Sequence, residues 1–148
     1  MSPSRSRTSN KLHKKRRGAA AVEFAVVAPL FLLLLAGIIE FGQVFRIEHH
    51  LSTASRRAAR TAMFNGAETS AVAAMVVERV EDMTGIDPSQ ITVEIAVNGD
   101  PNINLNQAQT GDEISVTVSV PYAEAGLGFF ATFFSNATLS ANCFFERE

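Results

Sequence analysis

Apolar residues fall along this chain in three rhythms, and each predicts a different element. From Phe24 to Ile39 the sequence reads FAVVAPLFLLLLAGII, sixteen residues without a charge. So continuous a run predicts a membrane-crossing helix, because no other segment is apolar enough to surround it as a core. At about 1.5 Å per residue the run alone falls short of a hydrocarbon layer roughly 30 Å thick; with Ala19–Glu23 it reaches roughly 32 Å. Glu23 is then inside the span or at its rim. Pro29 removes one backbone hydrogen bond within the run, which predicts a bend near residues 25–29.

Beyond the span the rhythm turns to threes and fours. Phe41, Val44, Phe45, Ile47, Leu51, Ala54, Ala58 and Ala62 form one stripe, so the helix is expected to continue from about residue 19 to about 64 and to stop at Asn65-Gly66. A second helix is expected over Glu68–Met83, with Val72, Met75, Val76, Val80 and Met83 inward and Gly85 closing it. The period then becomes two. Ile91, Val93, Ile95 and Val97 alternate with Thr92, Glu94 and Ala96, and Ile114, Val116, Val118 and Val120 alternate with Ser115, Thr117 and Ser119 up to Pro121. Leu139, Ala141, Cys143 and Phe145 alternate in the same way with Ser140, Asn142 and Phe144. Three half-buried strands against an amphipathic helix make an α+β fold: a long membrane-spanning helix, its amphipathic extension, a short second helix and a small three-stranded antiparallel sheet.

Charge adds direction to this pattern. The chain of 148 residues carries 13 Lys+Arg and 15 Asp+Glu, a formal charge of −2. Seven of those cations (Arg5, Arg7, Lys11, Lys14, Lys15, Arg16 and Arg17) lie in the first 18 residues, which hold no acid. The remainder is therefore strongly acidic, and nucleic acid is excluded as its partner. Cations before an apolar span, with few soon after it, place the N-terminus in the cytoplasm and residues beyond about 42 outside, anchored in membrane lipid. Four segments follow: a basic leader (1–18), a transmembrane helix (19–42), an amphipathic extension (43–65) and a small outer α+β domain (66–148).

The leader and span carry a more specific signal. Small residues, Gly18-Ala19-Ala20-Ala21, stand before the apolar run rather than after it, where a secretory cleavage site would be. An acid follows at Glu23, and an intramembrane carboxylate points to function by default. The run Arg16-Arg17-Gly18-Ala19-Ala20-Ala21-Val22-Glu23-Phe24 resembles the class III signal of type IV prepilins. Residues 16–62, with Val22-Glu23-Phe24, Pro29 and the Ile39-Glu40-Phe41-Gly42 exit, resemble the TadE-like pseudopilins of tight-adherence (Tad, Flp-type) pilus systems. The resemblance implies a minor pilin or pseudopilin of the bacterial inner membrane, its C-terminal domain periplasmic or extracellular, acting in adhesion and biofilm formation. It implies a prepilin peptidase cutting between Gly18 and Ala19, with Glu23 as the fifth mature residue, beside Phe24, meeting another subunit's freed amine. It implies as partners other pilin and pseudopilin subunits and an inner-membrane assembly platform with a cytoplasmic ATPase. A pseudopilin of a type II secretion or DNA-uptake machine would share the signal, and an uncleaved bitopic binding module is the alternative of another class.

Other chemistry is sparse. His49 and His50 are adjacent, so on a helix they face directions 100° apart and do not share a metal. Asp100, Asn102, Asn104 and Asn106 have the alternation of a calcium loop, but Leu105 stands where an EF-hand needs glycine and no Glu takes the twelfth position; a polar hairpin loop is expected. No nucleophile–base or phosphate-cradling constellation occurs, so neither an enzyme nor a cofactor is expected. The single Cys143 rules out a disulfide within the chain and reads as a small core residue. Glu40, about 100° around the helix from Glu23, reads as the outer rim of the span. The apolar stretch Ala125–Phe134 (AGLGFFATFF) is expected to be partly buried.

Overall fold

The computed structural model describes residues 9–64, 66–130 and 132–147, and for 9–17 the backbone course alone. Arg5 and Arg7 of the leader, Asn65 of the helix stop and Ala131 of the apolar stretch lie outside the described residues. Helix α1 spans Ser9–Ala62, so it begins within the basic leader, earlier than the expected residue 19. It is an unbroken helix through Pro29. The chain divides into two compact units, Met1–Ile39 and Glu40–Glu148, and α1 runs through the boundary.

From Gly18 to Ile39 most of the apolar residues are bare. The Gly18–Ala62 portion of α1 contains an eighteen-residue window of mean hydropathy 2.6, none of it buried, which is long and apolar enough to cross a membrane. Val22, Phe24, Val26, Val27, Leu30 and Leu32 are all exposed. In water such a surface would be unstable; in hydrocarbon it needs no protein partner.

The second unit is a folded domain. From Glu40 onward α1 buries one stripe: Val44, Ile47, Leu51, Ala54, Ala58, Ala59 and Ala62. The small residues of its last turns let other elements approach the helix closely. Phe41 and Phe45, expected in the stripe, are instead exposed, because the buried line runs through Glu40, Val44, Ile47 and Leu51 on a neighbouring face. Helix α2, Thr69–Thr84, buries Val72, Val76 and Val80, whereas Met75, expected inward, is 37% exposed. It closes at Gly85, which takes the left-handed conformation (φ +72°) and returns its N–H to Glu81 O; a side chain there would strain the backbone.

Strands β1 (Thr92–Val97), β2 (Glu113–Pro121) and β3 (Thr138–Glu146) pair as an antiparallel meander in the order β1-β2-β3. Central β2 follows the expected alternation without exception: Ile114, Val116, Val118 and Val120 are fully buried. Edge strand β3 half-buries Leu139, Ala141, Cys143 and Phe145, with Cys143 a free thiol opposite Val116. Strand β1 departs from the pattern at Ala96, which is buried along with Ile95 and Val97. The connection before β2 is more than a polar loop. Leu105 is fully buried; its N–H donates to Thr69 Oγ1 at 3.0 Å, and its carbonyl accepts from Arg147 Nη1. Loop, α2 N-terminus and C-terminal segment are thereby tied to one core.

Candidate functional site

Two acids on α1 have opposite surroundings. Glu23 belongs to the first unit, where Gly18, Ala19, Val22, Glu23, Val26 and Val27 line one strip of the helix surface. The spacing accounts for this: residues three and four apart fall on one face. Gly18, Ala19, Glu23 and Phe24 are all exposed, and no described residue hydrogen-bonds to Glu23. The strip thus offers a small-residue pair, a carboxylate one turn further on and an apolar surround, open to whatever approaches. Gly18 has open space where a Cβ would stand, so its lack of a side chain is not forced by packing within the chain.

Glu40 is 0% exposed. Its Oε2 accepts the backbone N–H of Leu127 at 3.0 Å, and its Oε1 accepts the hydroxyl of Tyr122 at 3.3 Å. Tyr122, the chain's only tyrosine, opens a four-residue helix, α3 (Tyr122–Ala125), directly after β2. Burial first, and the neighbouring Glu40 charge second, push its phenol above the ordinary value, so it is a neutral donor at physiological pH. Gly126 completes the arrangement. Its φ of −86° is open to any residue, but a Cβ there would collide with Glu40 Oε1. A carboxyl group removed from water is tolerated only when its oxygens are hydrogen-bonded, and here two donors from one short segment meet that need. The helix places the acid, and the segment after β2 supplies the donors and the room.

Glu40 was expected at the rim of the span, and its role as the anchor of a tertiary contact was not legible. An acid within an otherwise apolar stripe, a single tyrosine and a Gly-Leu-Gly step were the available signals, but they are 82 to 87 positions apart. The segment that follows is partly buried, as expected, with Gly126 and Phe130 half-buried. Ala125 is buried, but Leu127, Phe129, Phe133 and Phe134 are exposed. His49 and His50 stand with ring centroids 6.3 Å apart on α1, and no metal-holding cluster of His, Cys, Asp or Glu occurs among the described residues. Asp100 is occupied by Asn102, whose backbone N–H and side-chain amide both donate to its Oδ1 at 2.9 Å, as in an ordinary polar turn.

The sequence model of the family described as TadE-like protein covers residues 18–60. That stretch begins at Gly18 and contains both Glu23 and Glu40. No curated protein and no solved structure matches the chain.

Proposed function

Taking the chain as TadE-like over residues 18–60, we propose that it is a minor pilin or pseudopilin that takes part in assembling a Flp-type (Tad) pilus for adhesion and biofilm formation. It is held in the bacterial inner membrane by α1, N-terminus in the cytoplasm and the sheet-bearing unit outside. A prepilin peptidase cuts between Gly18 and Ala19. Both residues are exposed, and glycine lowers the cost of unwinding the helix around the scissile bond. Cleavage frees the Ala19 amine one turn from Glu23. In a low-dielectric surround an ammonium and a carboxylate attract strongly, and the pair offsets its desolvation only when the geometry is good. Glu23, beside Phe24, therefore meets the freed amine of a neighbouring subunit during docking, and Pro29 gives the span a place to bend. Other pilins, the assembly platform and its cytoplasmic ATPase complete the machine.

The observation that carries this reading is the contrast between the two acids. Glu40 is satisfied within its own chain, whereas Glu23 lies on a bare apolar helix with no donor from any described residue. N-terminal sequencing of protein extracted from membranes tests it. A start at Ala19 supports the pilin; a start at Met1 or Ser2, in cells with active peptidase, identifies an uncleaved bitopic module instead. Glu23→Ala is expected to insert normally and to abolish or strongly reduce piliation, and normal piliation would count against the role given to this acid.

A further inference from the structure

Apart from the span, the most apolar exposed surface of the described residues lies in the segment between α3 and β3. From Ala125 to Ala137 it contains no charged residue and four phenylalanines. Its backbone is closed by hydrogen bonds. The segment is closed at its base by the Tyr122 N–H donating to Ala137 O at 2.9 Å. It is turned internally by the Phe133 and Phe134 N–H groups, both donating to Phe130 O, and the Ala137 N–H donates to Phe134 O. Phe134 packs on the Tyr122 ring at a centroid distance of 5.0 Å. This frame leaves Leu127, Phe129 and Phe133 facing outward, Phe133 at 82% exposure. Exposed aromatic clusters on an ordered frame mark a contact surface rather than a defect of packing.

The place of this frame identifies what it contacts. The Leu127 N–H is bonded to Glu40, and Glu40 follows directly on Ile39, the last residue of the uncharged run. On α1, Phe41 and Phe45 are exposed, Phe45 at 65%, so the apolar surface of the helix continues for more than a turn past Glu40; the next residue, Arg46, is the first cation after the span. Leu127 is therefore tethered at the level where α1 still presents aromatic surface and has not yet met a cation. Where α1 crosses a bilayer with its uncharged run in the hydrocarbon, that level falls at the boundary between acyl chains and headgroups, where aromatic side chains partition readily. The burial of Glu40 fits the same depth, since its oxygens are bonded by protein and do not require water.

We propose that the Leu127–Phe134 segment dips into the surface of the bilayer that α1 crosses, giving the outer domain a second membrane contact beside its helix. The proposal rests on α1 being a membrane span but holds for either orientation of the chain. Because the segment carries no cation, partition is driven by apolar area and is indifferent to anionic lipid and to salt.

The chain has no tryptophan, so single-tryptophan variants of the full chain report on one site each. In phosphatidylcholine vesicles, Phe31→Trp in the span, Phe133→Trp in the loop and Asn106→Trp beyond the far end of β2 are compared, using lipids brominated at shallow or deep acyl positions and aqueous iodide. Phe31→Trp is expected to lose emission most to deep bromines. Phe133→Trp is expected to lose it most to shallow bromines, with protection from iodide, and Asn106→Trp only to iodide. Emission from Phe133→Trp that iodide quenches and bromines do not would overturn the second contact while leaving the span intact. Protection from both quenchers would overturn it equally, pointing to a second copy of the chain as the occupant. Failure of bromines to quench Phe31→Trp would instead remove the span on which the proposal rests. Adding phosphatidylglycerol or salt is expected to leave the Phe133→Trp result unchanged.

Discussion

The two parts of α1 are one helix with opposite patterns of burial. From Gly18 to Ile39 nearly all its apolar residues are exposed; from Glu40 they gather on one stripe and disappear into the core with the sheet and the second helix. Leu32 and Leu51 are the same residue on the same helix, one exposed and one completely buried. Their difference lies in what surrounds them, because a leucine is stabilised by leaving water whether lipid or protein replaces it. The acids repeat the lesson more sharply. Glu40 has two donors from its own chain, and Glu23 has none among the described residues. A carboxyl group removed from water is tolerated only when it is hydrogen-bonded; the folded unit meets that need for Glu40 from its own segments, and no described residue does so for Glu23.

The leucine pair gives the largest contrast. Leu51→Ala should destabilise the second unit by about 3 kcal/mol, through lost transfer energy and the cavity left behind. Leu32→Ala should leave that unit's unfolding within about 0.5 kcal/mol of the parent. Urea denaturation of the full chain in detergent micelles, followed by circular dichroism, checks both. Equal effects would mean that the two parts of the helix do not differ as described.

The acid pair sharpens the comparison at smaller cost. Glu40→Ala orphans the Leu127 N–H and the Tyr122 hydroxyl and should cost about 2 kcal/mol, and Gly126→Ala, by pushing the carboxyl from its donors, about 1–2 kcal/mol. The two should not add, because both break the same contact. Glu23→Ala should not move the denaturation midpoint.

The smallest effect is on pH dependence. Tyr122 holds its proton more tightly in the folded chain, so its contribution is whole below the ordinary phenol value of 10.0 and is lost as pH rises past it. Asp87, Asp100 and Asp112 run the other way. Hydrogen bonds hold each below the ordinary 3.8: chiefly the Ser89 hydroxyl for Asp87, the Asn102 N–H for Asp100 and the Gln109 N–H for Asp112. Their contributions are present above that value and lost as pH falls through the lowered ones. Thermal midpoints should therefore be flat across neutral pH, dip slightly in acid and fall in alkali, with a shallower alkaline fall in Tyr122→Phe.

Much of this molecule was legible from spacing alone. The uncharged run, the strand alternation of Ile114 through Val120 and the Gly85 stop each depend on neighbours within a few residues, and each appears as expected. The same holds for the resemblance at residues 18–60, which rests on a contiguous stretch. Where expectation and structure part, long-range contacts decide. Met75, Phe41 and Phe45 are apolar and correctly spaced, yet they stay partly in the open, while Glu40 and Leu105 are buried because distant segments reach them.

Sequence by itself thus determined where the chain would be helical or extended, which stretch is fit for lipid, and which small residues precede an acid within it. Tertiary structure alone decided that the second acid is enclosed, that Gly126 must lack a side chain to enclose it, and that the phenylalanines after α3 face outward. Periodicity records which faces of an element are apolar, but burial depends on which surfaces meet in space. For residues more than eighty positions apart, no local pattern carries that information.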